Sequence, residues 1–232
     1  MRFGHTPSIW EQFPQLVPGV LRVGAIHPKA DVAALIEPLH AQARERLARG
    51  PESELAEISG WRRAYTQMGL KPTQYRSAAE ALLRRFRREN DLPRLHPLVD
   101  LGNALSLAFA LPVAIFDLAG VDTFLEVRHA AGGEEHGGFS GETERADPGE
   151  VIFADAAGHA HARRWTFRQS RRSTVTADTR EVLIVAEGMH PTAATDVPAL
   201  IDAFAARITD CWEAPRQRAV LTAASPQIEL PA

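Results

Sequence analysis

The chain has 232 residues, 45% hydrophobic and 24% charged, a globular composition large enough to bury a core without disulfides or a structural metal. No run approaches the roughly 18 apolar residues a membrane span needs. The N-terminal MRFGHTPSIW carries no apolar leader segment, and the single cysteine, Cys211, has no partner within the chain, so the expected compartment is the reducing cytoplasm. The net charge of −3 conceals a bias: 24 of the 26 cations are arginine, with Lys29 and Lys71 the exceptions. Seven acids (Glu134, Glu135, Glu142, Glu144, Asp147, Glu150 and Asp155) face one base, Arg145, between Ala131 and Asp155, whereas Arg163 to Arg172 holds five arginines and no acid. A mildly acidic protein with a local basic strip does not bind duplex DNA over its whole surface, but it can grip a few phosphates.

The first thirty residues read as extended, with Leu16, Val17, Val20, Leu21, Val23 and Ile26 punctuated by Pro14, Pro18, Gly19 and Gly24. A helix is predicted from the N-cap Asp31 to Gly50, with Pro38 inside it, and a second carries Leu55, Ile58, Trp61, Tyr65 and Met68. Ser77 and Glu80 form a capping box for a third helix, whose Ala79, Leu82, Leu83 and Phe86 share one face. Its opposite face holds Arg84, Arg85, Arg87 and Arg88, suited to solvent or to a nucleic acid.

A more apolar helix, PLVDLGNALSLAFAL, places Asp100, Asn103 and Ser106 in a polar row. Such groups need partners once buried, and they either build a structural hydrogen-bond row or wall a polar pocket. From Pro112 the period changes to short β-like runs: Val113 to Phe116, Thr123 to Arg128, Glu150 to Ala154, His161 to Phe167 and Val182 to Ala186. Between them the glycine-rich AGGEEHGGFSGETERADPGE reads as a loop or a hairpin with long turns. A closing helix runs from Val197 to about Trp212, capped by Thr195 or Asp196, with Cys211 on its apolar face as a buried hydrophobe; the tail after Pro215 has no assigned structure. Helices, then a strand-rich half, then a helix make an α+β order rather than a Rossmann alternation.

The chain holds no P-loop and no strand-to-helix G-x-G-x-x-G, and Ser140 fails the nucleophile-elbow spacing. His159-x-His161 puts two imidazoles on one strand face, but no third ligand has suggestive spacing, so no metal is expected. The densest chemistry is Arg163 to Thr174, where Trp165 and Phe167 alternate with Arg164, Thr166 and Arg168 if the segment is a strand. Arginine beside aromatic rings suits phosphate pairing and base stacking, and it equally suits a charged β-edge.

The segment Leu98-Val99-Asp100-Leu101-Gly102-Asn103, continuing to Leu111-Pro112-Val113-Ala114-Ile115-Phe116-Asp117, resembles the core of the B3/B4 editing domain of the phenylalanyl-tRNA synthetase beta subunit. Glu150 to Asp155 and Val175 to Ile184 resemble two later motifs of that domain, in the same order. Gly69 to Arg76, Arg163 to Trp165 and Arg168 to Ser170 resemble its free-standing branch, so the likeness covers about residues 60 to 190. The resemblance implies one α+β domain over residues 1–232, a layered β-sandwich-like core covered by the N-terminal helices. It also implies hydrolysis of a mischarged aminoacyl-tRNA ester, with no cofactor.

The synthetase domain removes tyrosine wrongly attached to its tRNA, and its specificity does not carry over. The family's editing threonine corresponds to Gly102 here, its pocket histidine to Ala114, and the glutamate that reads the tyrosine hydroxyl to Val185, with Glu187 two residues on. A small-residue turn is replaced by Trp165 to Ser170, bulkier and cationic, so a smaller amino acid is expected to fit. Asp100, Asn103, Pro112, Phe116, Asp117, Asp155 and Thr179 match.

Asn103, Arg168, Gln169 and Ser170 are therefore the expected pocket groups, and Arg164, Arg171 and Arg172 the expected contacts to the tRNA acceptor end. The lost polar residues leave a non-catalytic tRNA- or amino-acid-binding module as the alternative. Arg168→Ala is expected to lower activity or binding far more than Arg84→Ala at one salt concentration; equal effects would remove the site assignment.

Overall fold

The computed structural model describes residues 1–231. Its elements in chain order are β1 (Arg2–His5), α1 (Pro7–Gln12), β2 (Val17–Val23), α2 (Ala33–Ala48), α3 (Ala56–Gln67), α4 (Ala78–Glu89) and α5 (Pro97–Phe109). There follow β3 (Val113–Asp117), β4 (Phe124–His129), β5 (Glu135–Gly137), β6 (Thr143–Arg145), β7 (Val151–Ala154), β8 (Ala160–Arg163) and β9 (Arg168–Gln169). The chain closes with β10 (Val182–Gly188), α6 (Ala193–Ile208), β11 (Gln217–Val220) and β12 (Gln227–Glu229). Ser77 caps α4 as its spacing predicts, accepting from the Glu80 backbone N–H at 3.3 Å.

Period-two alternation explains the layering. In β2 and β10, Leu21, Val23, Val182 and Ile184 face one side while Val20, Leu183 and Val185 face the other. A sheet apolar on both faces must be covered twice. On one side α2, α5 and α6 pack Ile36, Leu101, Leu105, Val197 and Phe204 against it. On the other lies a second sheet, which contributes Phe3, Leu125, Val127 and Phe153. The inner sheet runs β11-β2-β10-β3 and the outer β12-β1-β4-β7-β8-β9; β5 and β6 form a separate hairpin. A third cluster, with Ala43, Ile58, Leu83, Phe86 and Leu107, ties α2 to α5 together. The α+β sandwich holds, with α6 joining the N-terminal helices as its cover.

Several expectations are corrected. The first thirty residues are not all extended, because Pro7 presets the first turn of α1 and Ile9 and Trp10 bury its inner side. The tail beyond Pro215 supplies β11 and β12, edge strands too short and polar to read by alternation. The closing helix starts earlier, at Ala193, and accommodates Pro198 within its first turns. Cys211 lies past the end of α6 and is half-exposed, its thiol 3.7 Å from the Asp31 carbonyl.

The largest correction concerns the arginine-rich strand. Only Ala160–Arg163 is strand; Arg164 to Phe167 is a turn in which Arg164 (φ 46°) and Trp165 (φ 58°) both take the left-handed conformation. Side-chain alternation therefore fails across it. What holds two non-glycine residues there is the burial of the Trp165 indole, edge-on to Phe13 at 4.9 Å and to Trp61 at 5.2 Å, with Nε1 donating to Glu187 Oε2 at 2.9 Å. Trp165→Ala is expected to cost about 3–5 kcal/mol of stability, read from urea unfolding; a loss below about 1 kcal/mol would contradict this role for the indole.

Candidate functional site

A cavity of about 480 Å³ opens between the N-terminal half of α5, β3 and the segment that follows β9. Asn103 and Gly102 come from α5, Val113 and Ile115 from β3, Gln169 from β9, and Thr174 and Thr176 from the segment beyond. Leu95 and Phe139 stand at its rim. A smaller cavity of about 60 Å³ adjoins it, sharing Val113 and Gln169, and is lined by Ala114, Phe153, Trp165, Phe167, Arg168, Val185 and Glu187.

The polar row on α5 divides its roles. Asp100 Oδ1 accepts the Leu95 backbone N–H at 2.9 Å, and burial pushes its carboxyl up. Ser106 Oγ donates to the Leu111 carbonyl at 2.6 Å, closing the helix end. Asn103 alone meets the cavity. Gly102 is fixed by packing, since a Cβ there would fall 2.8 Å from Ile115 Cδ1.

Gln169 is oriented by chemistry. Its Nε2 donates to the Ile115 carbonyl at 2.8 Å and reaches the Ser173 carbonyl at 3.5 Å. Two carbonyls select the amide nitrogen on that side, which leaves the amide oxygen as the end available to a ligand. Ser170, by contrast, is buried in a turn: its Oγ donates to the Gly137 carbonyl at 3.1 Å and lies 3.3 Å from the backbone N–H groups of Gly137 and Arg172. It holds the β5–β6 hairpin against the turn and stands outside both cavity walls.

The opposed charge blocks of the sequence meet each other. Arg163, nearly fully buried, pairs with Glu144 at 2.8 Å, Glu150 at 2.6 Å and Asp147 at 3.4 Å. Arg168 pairs with Glu142 at 2.6 Å and Glu144 at 2.7 Å. Burial alone would raise the Glu150 carboxyl, but Arg163 and the Arg164 backbone N–H outweigh it and hold it low. Arg164 lies over the Tyr75 ring at 4.8 Å. Arg171 and Arg172 are exposed, and neither joins an ion pair among the described residues. The α4 arginines are also engaged, Arg84 and Arg87 with Glu52 and Arg85 and Arg88 with Glu89.

A buried chain supports the turn carrying Arg171 and Arg172. Asp155 Oδ2 lies 3.1 Å from His161 Nε2, and His161 Nδ1 lies 2.9 Å from Ser173 Oγ. Burial would raise Asp155, yet the His159 backbone N–H and the His161 ring hold its carboxyl at about 2. An ionised Asp155 accepts, so His161 carries its proton on Nε2 and Ser173 donates to Nδ1. The Ser173 hydroxyl is fully buried and outside the cavity wall, so this chain positions rather than attacks. His159 and His161, for which no metal was expected, both meet this carboxylate, His159 Nδ1 at 3.2 Å. Elsewhere Glu57, His190 and Asp196 bring donor atoms within 4.8 Å of one another, with Arg46 on Glu57 at 2.7 Å and His190 on Asp196 at 2.8 Å.

Leu95, Phe139 and Thr176 line the cavity and were not among the expected pocket groups. Phe139 carried one signal, as the only large apolar residue in the polar stretch from Ala131 to Glu150.

An α+β sandwich with its cavity set between a helix and the inner sheet is the class these features define. Residues 60–199 match the B3/4 domain, and the chain belongs to that family. Among solved structures it is similar to an N-terminal fragment of the phenylalanyl-tRNA synthetase beta-subunit from Pyrococcus horikoshii, with 10% identity and a TM-score of 0.45. That similarity covers 90% of this chain and 48% of the other. No curated protein matches the chain. No helix is long and apolar enough to cross a membrane.

Burial lowers the pKa of His40, His96, His136 and His161 in the folded protein. Below about pH 6.5 the unfolded chain binds protons at these positions that the folded one refuses, so stability falls with pH. Asp155 adds stability that is present above about pH 4 and lost as pH falls toward 2. Thermal melts are expected to show Tm decreasing from pH 7 to 5; a flat Tm across that range would contradict neutral buried imidazoles.

Proposed function

We propose that this protein hydrolyses the ester of a mischarged aminoacyl-tRNA, acting in trans. The observation that carries the reading is the pair of adjoining cavities, which share Gln169 and lie beside exposed, unpaired Arg171 and Arg172 in a B3/4 family member. In this reading the larger cavity takes the terminal nucleoside and the smaller one the amino-acid side chain, with the ester between them.

An aminoacyl ester is already activated, so no side-chain nucleophile is required. Water adds to the acyl carbon, the bond from that carbon to the ribose oxygen breaks, and the water proton ends on the departing ribose hydroxyl. Asn103 offers a carboxamide N–H to the oxyanion, and the free amide oxygen of Gln169 accepts from the attacking water or the α-ammonium. Arg168, committed to Glu142 and Glu144, acts by holding the smaller cavity's wall. Arg171 and Arg172 take phosphates of the acceptor end, while Arg164 is stacked on Tyr75.

The side chain accepted is small. The family positions Ala114 and Val185 are direct cross-strand partners in this cavity, and neither carries a polar group for a tyrosine hydroxyl. Glu187 does not replace one, because His5 at 2.7 Å and Trp165 at 2.9 Å occupy its two oxygens. About 60 Å³ of free space beside Trp165 and Phe167 accommodates a few heavy atoms and not a phenol ring.

The same apolar replacements at 102, 114 and 185 favour, as a second reading, a binding module without turnover. A panel of mischarged tRNAs decides between them. Deacylation above the buffer rate is expected for at least one small amino acid, with Asn103→Ala and Gln169→Ala each lowering kcat/KM about a hundredfold. Every ester decaying at the buffer rate would remove the enzyme, and tight binding of tRNA without turnover would establish the module.

A further inference from the structure

Among the described residues three large apolar side chains stand exposed, and two of them, Leu95 at 69% and Phe139 at 66%, line the same 480 Å³ cavity. They come from opposite parts of the chain: Leu95 from the segment entering α5, Phe139 from the tip between β5 and β6. We propose that they clamp the nucleobase of the substrate's terminal nucleotide, while Arg171 takes the phosphate on its 5′ side. The inference rests on the tRNA reading above and assigns its base and phosphate contacts.

Phe139 is not a stray loop residue, because the hairpin bearing it is anchored at several points. Arg168 holds Glu142 and Glu144 beyond the tip, Ser170 bonds Gly137 before it, and Glu135 bridges to His159 at its base. A tip fixed in this way presents its ring at a set place over the cavity mouth. A phenyl face stacks on any base, and loses little side-chain freedom in doing so.

The cation is tied to the same hairpin. A Cβ on Gly137 would lie 3.5 Å from both Cγ and Nε of Arg171, so the arginine stem runs along the strand that leads to Phe139. The turn carrying Arg171 and Arg172 is itself seated tightly, since the Arg172 carbonyl would lie 2.2 Å from a Cβ at Gly120. An exposed apolar pair alone fits many partners. A guanidinium that joins no ion pair among the described residues, and the amides of Asn103 and Gln169 in the cavity wall, select a nucleotide: a flat apolar base, a polar sugar edge and an anion.

The test compares adenosine 5′-monophosphate with ribose 5-phosphate by calorimetric titration of the whole chain. The nucleotide is expected to bind about tenfold more tightly. Phe139→Ala and Leu95→Ala, both at exposed positions, should erase most of that difference, whereas Arg171→Ala should weaken both ligands alike. Equal affinity for the two ligands, or a Phe139→Ala protein that keeps the full preference, would overturn the clamp. The outcomes separate from those of the enzyme reading. If no mischarged tRNA is hydrolysed but the base preference follows Phe139, the clamp stands without the enzyme. If deacylation proceeds with unchanged KM in Phe139→Ala, the enzyme stands and the clamp falls.

Discussion

The hydrogen bond from the Trp165 indole to Glu187 joins the turn after β8 to the C-terminal end of β10 in the inner sheet, and the candidate site depends on it. Glu187 is a buried carboxylate, which a protein tolerates only when its oxygens are satisfied. His5 from β1 and Trp165 satisfy one oxygen each, and the Glu187 carbonyl accepts from Trp61 at 3.3 Å. Three elements of different layers therefore converge on one residue. With the indole drawn inward, the backbone is left in a left-handed turn, and that turn returns the chain as β9 with Gln169 facing the cavity.

Charge segregation works at a second level. Acids gathered between Ala131 and Asp155 and arginines gathered between Arg163 and Arg172 look like two surfaces for two partners. Folded, they become one internal interface, since Arg163 and Arg168 meet four carboxylates. Removing Arg163 would leave the buried Glu150 carboxylate without its partner, which costs more than the pair itself contributes, whereas the part-exposed Arg168 pairs are worth less. The exposed Arg171 and Arg172 are what remains of the basic strip for a ligand.

Periodicity made α3 to α5 and the strands β2, β3 and β10 legible, because each buries a regular face against a neighbour. Ser77 could be read as a cap for the same reason: its bond is local. Gln169 and Asn103 were singled out by motif position, and the fold brings both to the cavity wall. The turn at Trp165 was not, because nothing in Arg-Arg-Trp-Thr-Phe signals positive φ, and the cause is a tertiary bond to a residue 22 positions on. The roles of Ser170 and Arg168 were hidden likewise: a serine in a basic strip reads as a ligand group until Gly137 is seen to close on it. Leu95 and Phe139 carry no period, and only the assembled cavity shows what they face.

The outer sheet has an implication for how the molecule is made. Strand β1 lies between β4, parallel to it, and β12, antiparallel to it, so residues 2–4 pair with residues near 124 and near 229. At synthesis rates of about 5–20 residues per second, β1 waits on the order of ten seconds or longer for β12. The three strands β2, β10 and β3 of the inner sheet can pair as soon as β10 emerges, whereas β1, with β4 on one side, keeps one free edge until β12 emerges.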